Sequence, residues 1–278
     1  MKQLYDELSY EISKSTTQKY STSFSMGIMA LNPAIRPAIY AIYGYVRLAD
    51  EIVDSFHQYN KPELLERFKE QTAQALDEGI SLNPLLNAFQ DTVVRYDIDR
   101  SLIHQFLHSM EMDLNPVQYT DALYREYILG SAEVVGLMCL KVFVNGDDAQ
   151  FKALKPYAMK LGSAFQKVNF LRDLNADYQD LGRSYFPHIE MKHFDNEVKR
   201  RIEAEIEAEF REALIGIRRL PASSRFGVYL AHRYYWSLFR KIKNTPAQKI
   251  LRERVRIPNG QKLSLAMRSY LEMKIATF

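Results

Sequence analysis

The chain has 278 residues, 47% of them hydrophobic and 26% charged, which is enough for one large or two small domains with a substantial core. Lysine and arginine number 37 against 34 acidic residues, and a net charge of +3 is too balanced to point to nucleic acid. Eleven glycines and ten prolines are few for a turn-rich sheet protein, and the single cysteine, Cys139, permits neither an internal disulfide nor a cysteine-based zinc site. A reducing, cytoplasmic setting is therefore expected. Tyrosine (18) and phenylalanine (15) are abundant beside one tryptophan. The N-terminus, Met1-Lys2-Gln3-Leu4-Tyr5-Asp6-Glu7, carries charge where a signal peptide would carry an apolar core. No run of about 18 uncharged apolar residues predicts a membrane span. The nearest approach, Phe24 to Tyr45, is broken by Pro33, Arg36 and Pro37.

The periodicity is helical throughout. Over 34–56, apolar residues recur at spacings of three and four: Ile35, Ile39, Ile42, Tyr43, Val46, Ala49 and Val53. A second helix over 61–79 follows Asn60 as cap and Pro62 in its first turn. Segments 83–95 and 99–112 read alike, and 119–144 is apolar enough to be buried on several sides. Further helices are predicted over 147–180, 195–219, 224–244 and 261–276, the third-last charged and amphipathic. Asn145-Gly146 and Asn259-Gly260 could each turn a hairpin, but their flanks lack alternation and helix corners explain them equally. The expected architecture is a single all-α domain of roughly ten helices over 1–278.

Two of these helices carry acidic pairs. Asp50 and Asp54 in one, and Asp173 and Asp177 in the other, stand at i and i+4 and project from one face a turn apart. Aspartate is a poor interior helix former, and like charges at this spacing cost roughly 0.2–0.5 kcal/mol. One such pair is ordinarily a solvated face; two pairs in two apolar helices are harder to dismiss. Asn169 extends the second stripe by a turn, with Arg172 beside it, while Arg47 and Tyr43 precede Asp50. Oxygen ligands mixed with arginine suit Mg²⁺ bridging to a diphosphate, with arginine clamping the anion. His104 and His108, also i and i+4, lack a glutamate between them and an evident third ligand, so no zinc site is expected.

The motifs resemble those of the squalene/phytoene synthase family, from about residue 16 to residue 270. Tyr20-Ser21-Thr22-Ser23-Phe24 is similar to its N-terminal Ser-x-Ser-Phe segment, and Ala41 to Asp54 to its first aspartate-rich motif. Tyr127 to Gly136 resembles its central helix. Gln166 to Asp177, followed by Gly182-Arg183-Ser184-Tyr185-Phe186-Pro187, resembles its second motif and exit loop. Three positions depart. Glu51 stands for an aspartate, Tyr20 for a histidine, and Glu133 for a small residue, placing a carboxylate either in the cavity or against a neighbouring helix.

The resemblance implies an isoprenoid-synthase-type helical bundle with a central cavity. It also implies Mg²⁺ (or Mn²⁺) held by Asp50, Asp54, Asn169, Asp173 and Asp177. Tyr43 and Arg47 join the aspartates as catalytic residues, and Ser21, Ser23, Phe24, Arg47, Tyr127, Gln166, Asn169, Arg172, Tyr185, Tyr235 and Arg254 as substrate-binding residues. Within these sets, Phe24, Tyr43, Tyr127 and Tyr235 are the rings expected to face a carbocation, each contributing about 0.5–2 kcal/mol. The partners implied are prenyl diphosphates.

The basic group Lys241, Lys243, Lys249, Arg252 and Arg256 reads as a solvated or membrane-facing surface, so peripheral membrane contact is expected. Residues 26–28 place no ring after Phe24, and no membrane-spanning tail precedes Phe278; both lean toward C20 substrates and phytoene, without NADPH. C15 condensation to squalene, dehydrosqualene or hydroxysqualene is the alternative, and a non-catalytic assembly factor a remote one, disfavoured because all four aspartates are kept. A terpene cyclase or head-to-tail prenyltransferase is disfavoured by the Ser-x-Ser-Phe segment and by Arg172-Asp173.

Overall fold

A computed structural model describes the backbone of residues 1–115, 119–180, 185–187, 189 and 193–275; within these, the side chains of 176–180, 259, 262–263, 271 and 273–275 are not described. Every regular element among the described residues is helical. In order they are α1 (Lys2–Tyr20), α2 (Thr22–Met29), α3 (Arg36–Asp54), α4 (Lys61–Glu78), α5 (Pro84–Arg95), α6 (Arg100–Met112) and α7 (Asp121–Ile128). A π-helical turn (Leu129–Glu133) joins α7 to α8 (Val134–Phe143). Then follow α9 (Asp148–Asp180), α10 (Asn196–Arg219), α11 (Ala222–Lys243), α12 (Ala247–Ile250) and α13 (Asn259–Ile275).

Local chemistry accounts for the boundaries. The Asn60, Asn83, Asp99, Thr120 and Asp195 side chains accept hydrogen bonds from backbone amides in the first turns of α4, α5, α6, α7 and α10. Pro62 and Pro84 occupy first-turn positions, where no amide hydrogen is needed. Between α8 and α9, Asn145 and Gly146 take φ of +52° and +77°, and the Gly146 amide donates to the Lys141 carbonyl at 2.9 Å. This is a left-handed helix stop, not a hairpin. Asn259-Gly260 makes no turn either; it opens α13.

The sequence periodicity predicts nothing before residue 34, yet α1 and α2 are there. The buried face of α1 is Ser9, Ser13 and Thr17, a hydroxyl stripe rather than an apolar one. Each hydroxyl donates to the carbonyl four residues back, at 2.7 to 3.0 Å, so no polar group is stranded. Small residues let α1 lie close on α3, where the Ser13 Cα would be 3.4 Å from a Cβ built on Gly44.

Two apolar clusters share the interior. One centres on Tyr45, stacked on Phe89 at 3.8 Å, and draws on α3, α4, α5, α6 and α8. The other gathers Phe210, Phe239, Val168 and Leu171 from α9, α10 and α11. Helix α9, about 50 Å long at 1.5 Å per residue, packs against α8, α10 and α11 and connects the two. No helix among the described residues is long and apolar enough to cross a membrane.

Candidate active site

A chamber of about 500 Å³ lies between α2, α3, α8, α9, α10 and α11. Its lining follows helical spacing and changes polarity along each helix. On α3 the lining residues are Ile39, Ile42, Tyr43, Val46, Arg47 and Asp50, apolar to charged over about 16 Å. On α9 they run Leu154, Tyr157, Ala158, Leu161, Gly162, Phe165, Gln166, Asn169 and Arg172, the same gradient over about 27 Å. The chamber thus has an apolar body and a charged mouth.

At the mouth, Asp50, Glu51 and Asp54 crowd the C-terminal end of α3, where the helix dipole is already negative and the last turn holds no basic residue. Arg47 answers part of that charge: it pairs with Glu51, lies 4.0 Å from Asp50, and places its guanidinium 4.4 Å from the Tyr20 ring centre. Its buried Nε has no hydrogen-bond partner among the described residues. Across the mouth, the guanidinium of Arg254 grips Asp173 through Nε at 2.6 Å and Nη2 at 3.2 Å, and Arg172 reaches the same carboxylate at 2.5 Å. Three arginines and a chain of oxygen donors therefore meet at one opening.

The aromatic wall lies just inside. Phe24 sits 5.6 Å from Tyr43 and 6.0 Å from Tyr235, and Phe165 stacks on Tyr235 at 3.8 Å. Burial pushes the Tyr43 phenol up to about 12, with Arg47 and a hydrogen bond from Ser21 pulling the other way. Ser21 also accepts from the Phe24 amide at 3.2 Å, so one hydroxyl caps α2 and steadies the ring. Burial raises the Tyr235 phenol as well, with the positive charge of Arg172 pulling the other way, and the phenol donates to Asn169 Oδ1 at 3.3 Å. Phe165 belongs to this wall without standing out in the sequence; its place one helical turn before Asn169 was the available signal.

Most expected positions converge here. Ser21, Phe24, Tyr43, Arg47, Asp50, Gln166, Asn169, Arg172, Tyr235 and Arg254 all line the chamber. Ser23 lines a smaller adjoining chamber of about 300 Å³ that shares Phe24, Arg172, Tyr235 and Arg254. Asp54 is half-buried one turn beyond Asp50, and Asp173 is held by its arginines. The Asp177 side chain, and residues Gly182, Arg183 and Ser184, lie outside the described residues.

Tyr127 and Tyr185 are placed differently from expectation: neither lines the chamber. Their rings stack at 5.0 Å, and both hydroxyls donate to the buried Asp113, at 2.8 and 3.3 Å. The Tyr127 ring is instead packed among Tyr119, Phe170 and Tyr185. Glu133 points away too. It faces Lys160, Lys167 and Glu209, and burial raises its carboxyl to about 7. Among the basic surface residues, Lys241 donates to the Arg256 carbonyl at 2.6 Å and Lys243 pairs with Glu207 at 2.6 Å. His108 pairs with Glu126 at 3.1 Å.

Among the described residues no three acidic or histidine side chains are gathered as a metal cluster. The donor chemistry nevertheless fits Mg²⁺: hard carboxylate and amide oxygens from Asp50, Asn169 and Asp173 face one opening, flanked by arginines able to hold an anion.

An all-α bundle enclosing an apolar chamber with a charged mouth is the fold of the isoprenoid synthases. A dehydrosqualene synthase crystal structure superposes with a TM-score of 0.85 at 20% identity, covering 99% of each chain. Squalene synthase HpnC from Alicyclobacillus acidocaldarius gives 0.75 at 19% identity, over 86% of this chain and 95% of that one. The sequence profile for squalene/phytoene synthase matches residues 17–261, and the chain belongs to that family. Phytoene synthase 1 of Zea mays is 29% identical over 267 residues, 88% of this chain and 64% of the maize protein. Phytoene synthase 1 of Arabidopsis thaliana is 34% identical over 182 residues, 62% of this chain and 42% of the relative. The chain thus matches less than two thirds of these relatives' own length.

Proposed function

We propose that the protein is a prenyl transferase of the phytoene synthase type, joining two geranylgeranyl diphosphates head to head. The observation that carries this reading is the polarity gradient on α3 and α9, which suits a ligand with an anionic head and a long hydrocarbon tail. The relatives named phytoene synthase support the C20 choice. So does the stretch after Phe24, where Gly27 and Ile28 line the chamber without a ring.

Arg47, Arg172 and Arg254 would bind the diphosphates, the last two exchanging Asp173 for phosphate oxygens. Asp50, Asp54, Asn169, Asp173 and Asp177 would hold Mg²⁺, which when bound stabilises the leaving diphosphate. Phe24, Tyr43, Phe165 and Tyr235 exclude water and turn ring faces toward the cationic carbon left by ionisation. The second substrate's double bond attacks that carbon, giving a cyclopropylcarbinyl diphosphate with loss of one diphosphate and one proton. A second ionisation and rearrangement releases the other diphosphate and another proton, leaving the 1–1′ linked hydrocarbon.

Product analysis tests this. Protein with Mg²⁺ is given geranylgeranyl or farnesyl diphosphate, with and without NADPH. A C40 hydrocarbon from the C20 substrate without NADPH is expected; turnover of the C15 substrate alone would reject the C20 reading.

A further inference from the structure

One chain of hydrogen bonds runs down the chamber wall from its charged mouth to the π turn. It starts at the phenol of Tyr235, which lines the chamber with Arg172. That phenol donates to the Asn169 Oδ1 at 3.3 Å. Asn169 Nδ2 donates to Gln166 Oε1 at 3.4 Å, and Gln166 Nε2 to Ser131 Oγ at 3.2 Å. Ser131 Oγ finally donates to the Tyr127 carbonyl at 2.7 Å.

The inner end of this chain fixes its direction. A backbone carbonyl can only accept. Every hydroxyl and amide before it therefore has a single orientation that satisfies all four links. Ser131 is the anchor, since its proton goes to a carbonyl that cannot reverse. It reaches Gln166 because α9 approaches the π turn closely: a Cβ on Gly162, one turn before Gln166, would lie 2.7 Å from the Ala132 carbonyl oxygen.

We propose that Ser131 is a positioning residue that fixes the Tyr235 phenol through Gln166 and Asn169. The phenol proton is committed to Asn169, so the oxygen lone pairs are left for the chamber. Tyr235, stacked on Phe165 and beside Phe24, is thereby held with its electron-rich side toward the place where positive charge develops. Losing Ser131 frees Gln166 to rotate, Asn169 follows, and the phenol gains alternative orientations. The catalytic part of this inference rests on the proposed prenyl-transfer reaction; the orientation of the phenol does not.

The test uses the full chain labelled with 13Cζ-tyrosine, with Tyr235→Phe identifying the Tyr235 resonance. Ser131→Ala is expected to shift that resonance in the ligand-free protein, and Ser131→Thr, which keeps the hydroxyl, to leave it in place. Gln166→Met breaks the same chain one link further on and is expected to give the same shift, which covers the case of a misfolded Ser131→Ala. In turnover of geranylgeranyl diphosphate, Ser131→Ala is expected to lower kcat about tenfold with KM within about twofold, and Ser131→Thr to recover it. An unmoved Tyr235 resonance overturns the proposal. So does a moved resonance with unchanged kcat, or no recovery with threonine. Failure of the wild-type protein to turn over any prenyl diphosphate would reject the proposed function, while the resonance would still decide the orientation of Tyr235.

Discussion

Arg254 and Asp173 meet across 81 residues of sequence, and their pairing sets the resting state of the mouth. The Arg254 side chain is about half exposed, so the ion pair contributes little to folding. In its proposed role as a bidentate anion handle it would matter far more. Arg254→Ala is expected to lower kcat/KM about 100-fold while moving Tm by no more than about 2 °C, read from steady-state kinetics beside a thermal melt. The motifs marked Asp173 and Arg254 separately, but spacing cannot show that the two touch. Glu133 is similar: its departure from the family pattern was visible, and only packing decided that it faces Lys160, Lys167 and Glu209. Its carboxyl sits near 7, above the ordinary glutamate value, because burial disfavours the charged form. The native state therefore holds a proton that the unfolded chain releases near 4.5, so stability should fall as pH rises from about 4.5 through about 7. Allowing for partial solvent screening, Glu133→Gln should stabilise the protein at pH 8 by about 1–2 kcal/mol and flatten that slope, measured by denaturant unfolding across the range.

The elements divide by the chemistry of their buried faces. Helices with apolar stripes, such as α3, α5 and α10, were legible to within two residues at most ends, because burial of a stripe is what their sequences encode. Helix α1 was not, since Ser9, Ser13 and Thr17 are polar letters that behave as small, self-satisfied surfaces once each hydroxyl bonds its own backbone. Its apolar residues mislead as well: Leu4 and Leu8 are exposed. The close approach to Gly44 gives a direct check. Ser13→Leu should overpack the α1–α3 contact and cost about 1–3 kcal/mol, seen as a Tm lower by several degrees. The π turn was equally silent, because a shift in helical phase leaves no mark on composition. Ser131, within that turn, lies on the chamber wall, whereas Tyr127 just before it does not and bonds Asp113 instead.

At the scale of the whole molecule, the proposed preference for a C20 tail requires the apolar chamber to extend beyond Phe24, where α2 meets α11. Gly27 faces Gly227 and Ala231 there, and a Cβ at Gly27 would meet the Ala231 Cβ and the Gly227 carbonyl oxygen each at 3.6 Å, ordinary contact. A methyl group is therefore tolerated at this position, while a larger side chain, hemmed in by α11, is expected to take its volume from the chamber that Gly27 lines. Leucine would bring about four carbons, close to the five by which a C20 tail exceeds a C15 tail. One methylene in an apolar pocket is worth about 1–3 kcal/mol, or about 10–200-fold in selection. Gly27→Leu should thus lower kcat/KM for geranylgeranyl diphosphate at least about tenfold relative to farnesyl diphosphate, measured with both substrates in competition. Gly27→Ala, with its single methyl in van der Waals range, should keep the C20 preference within about threefold. Equal losses on both substrates would mean that the tails do not reach this end of the chamber, and the C20 assignment would lose its structural support.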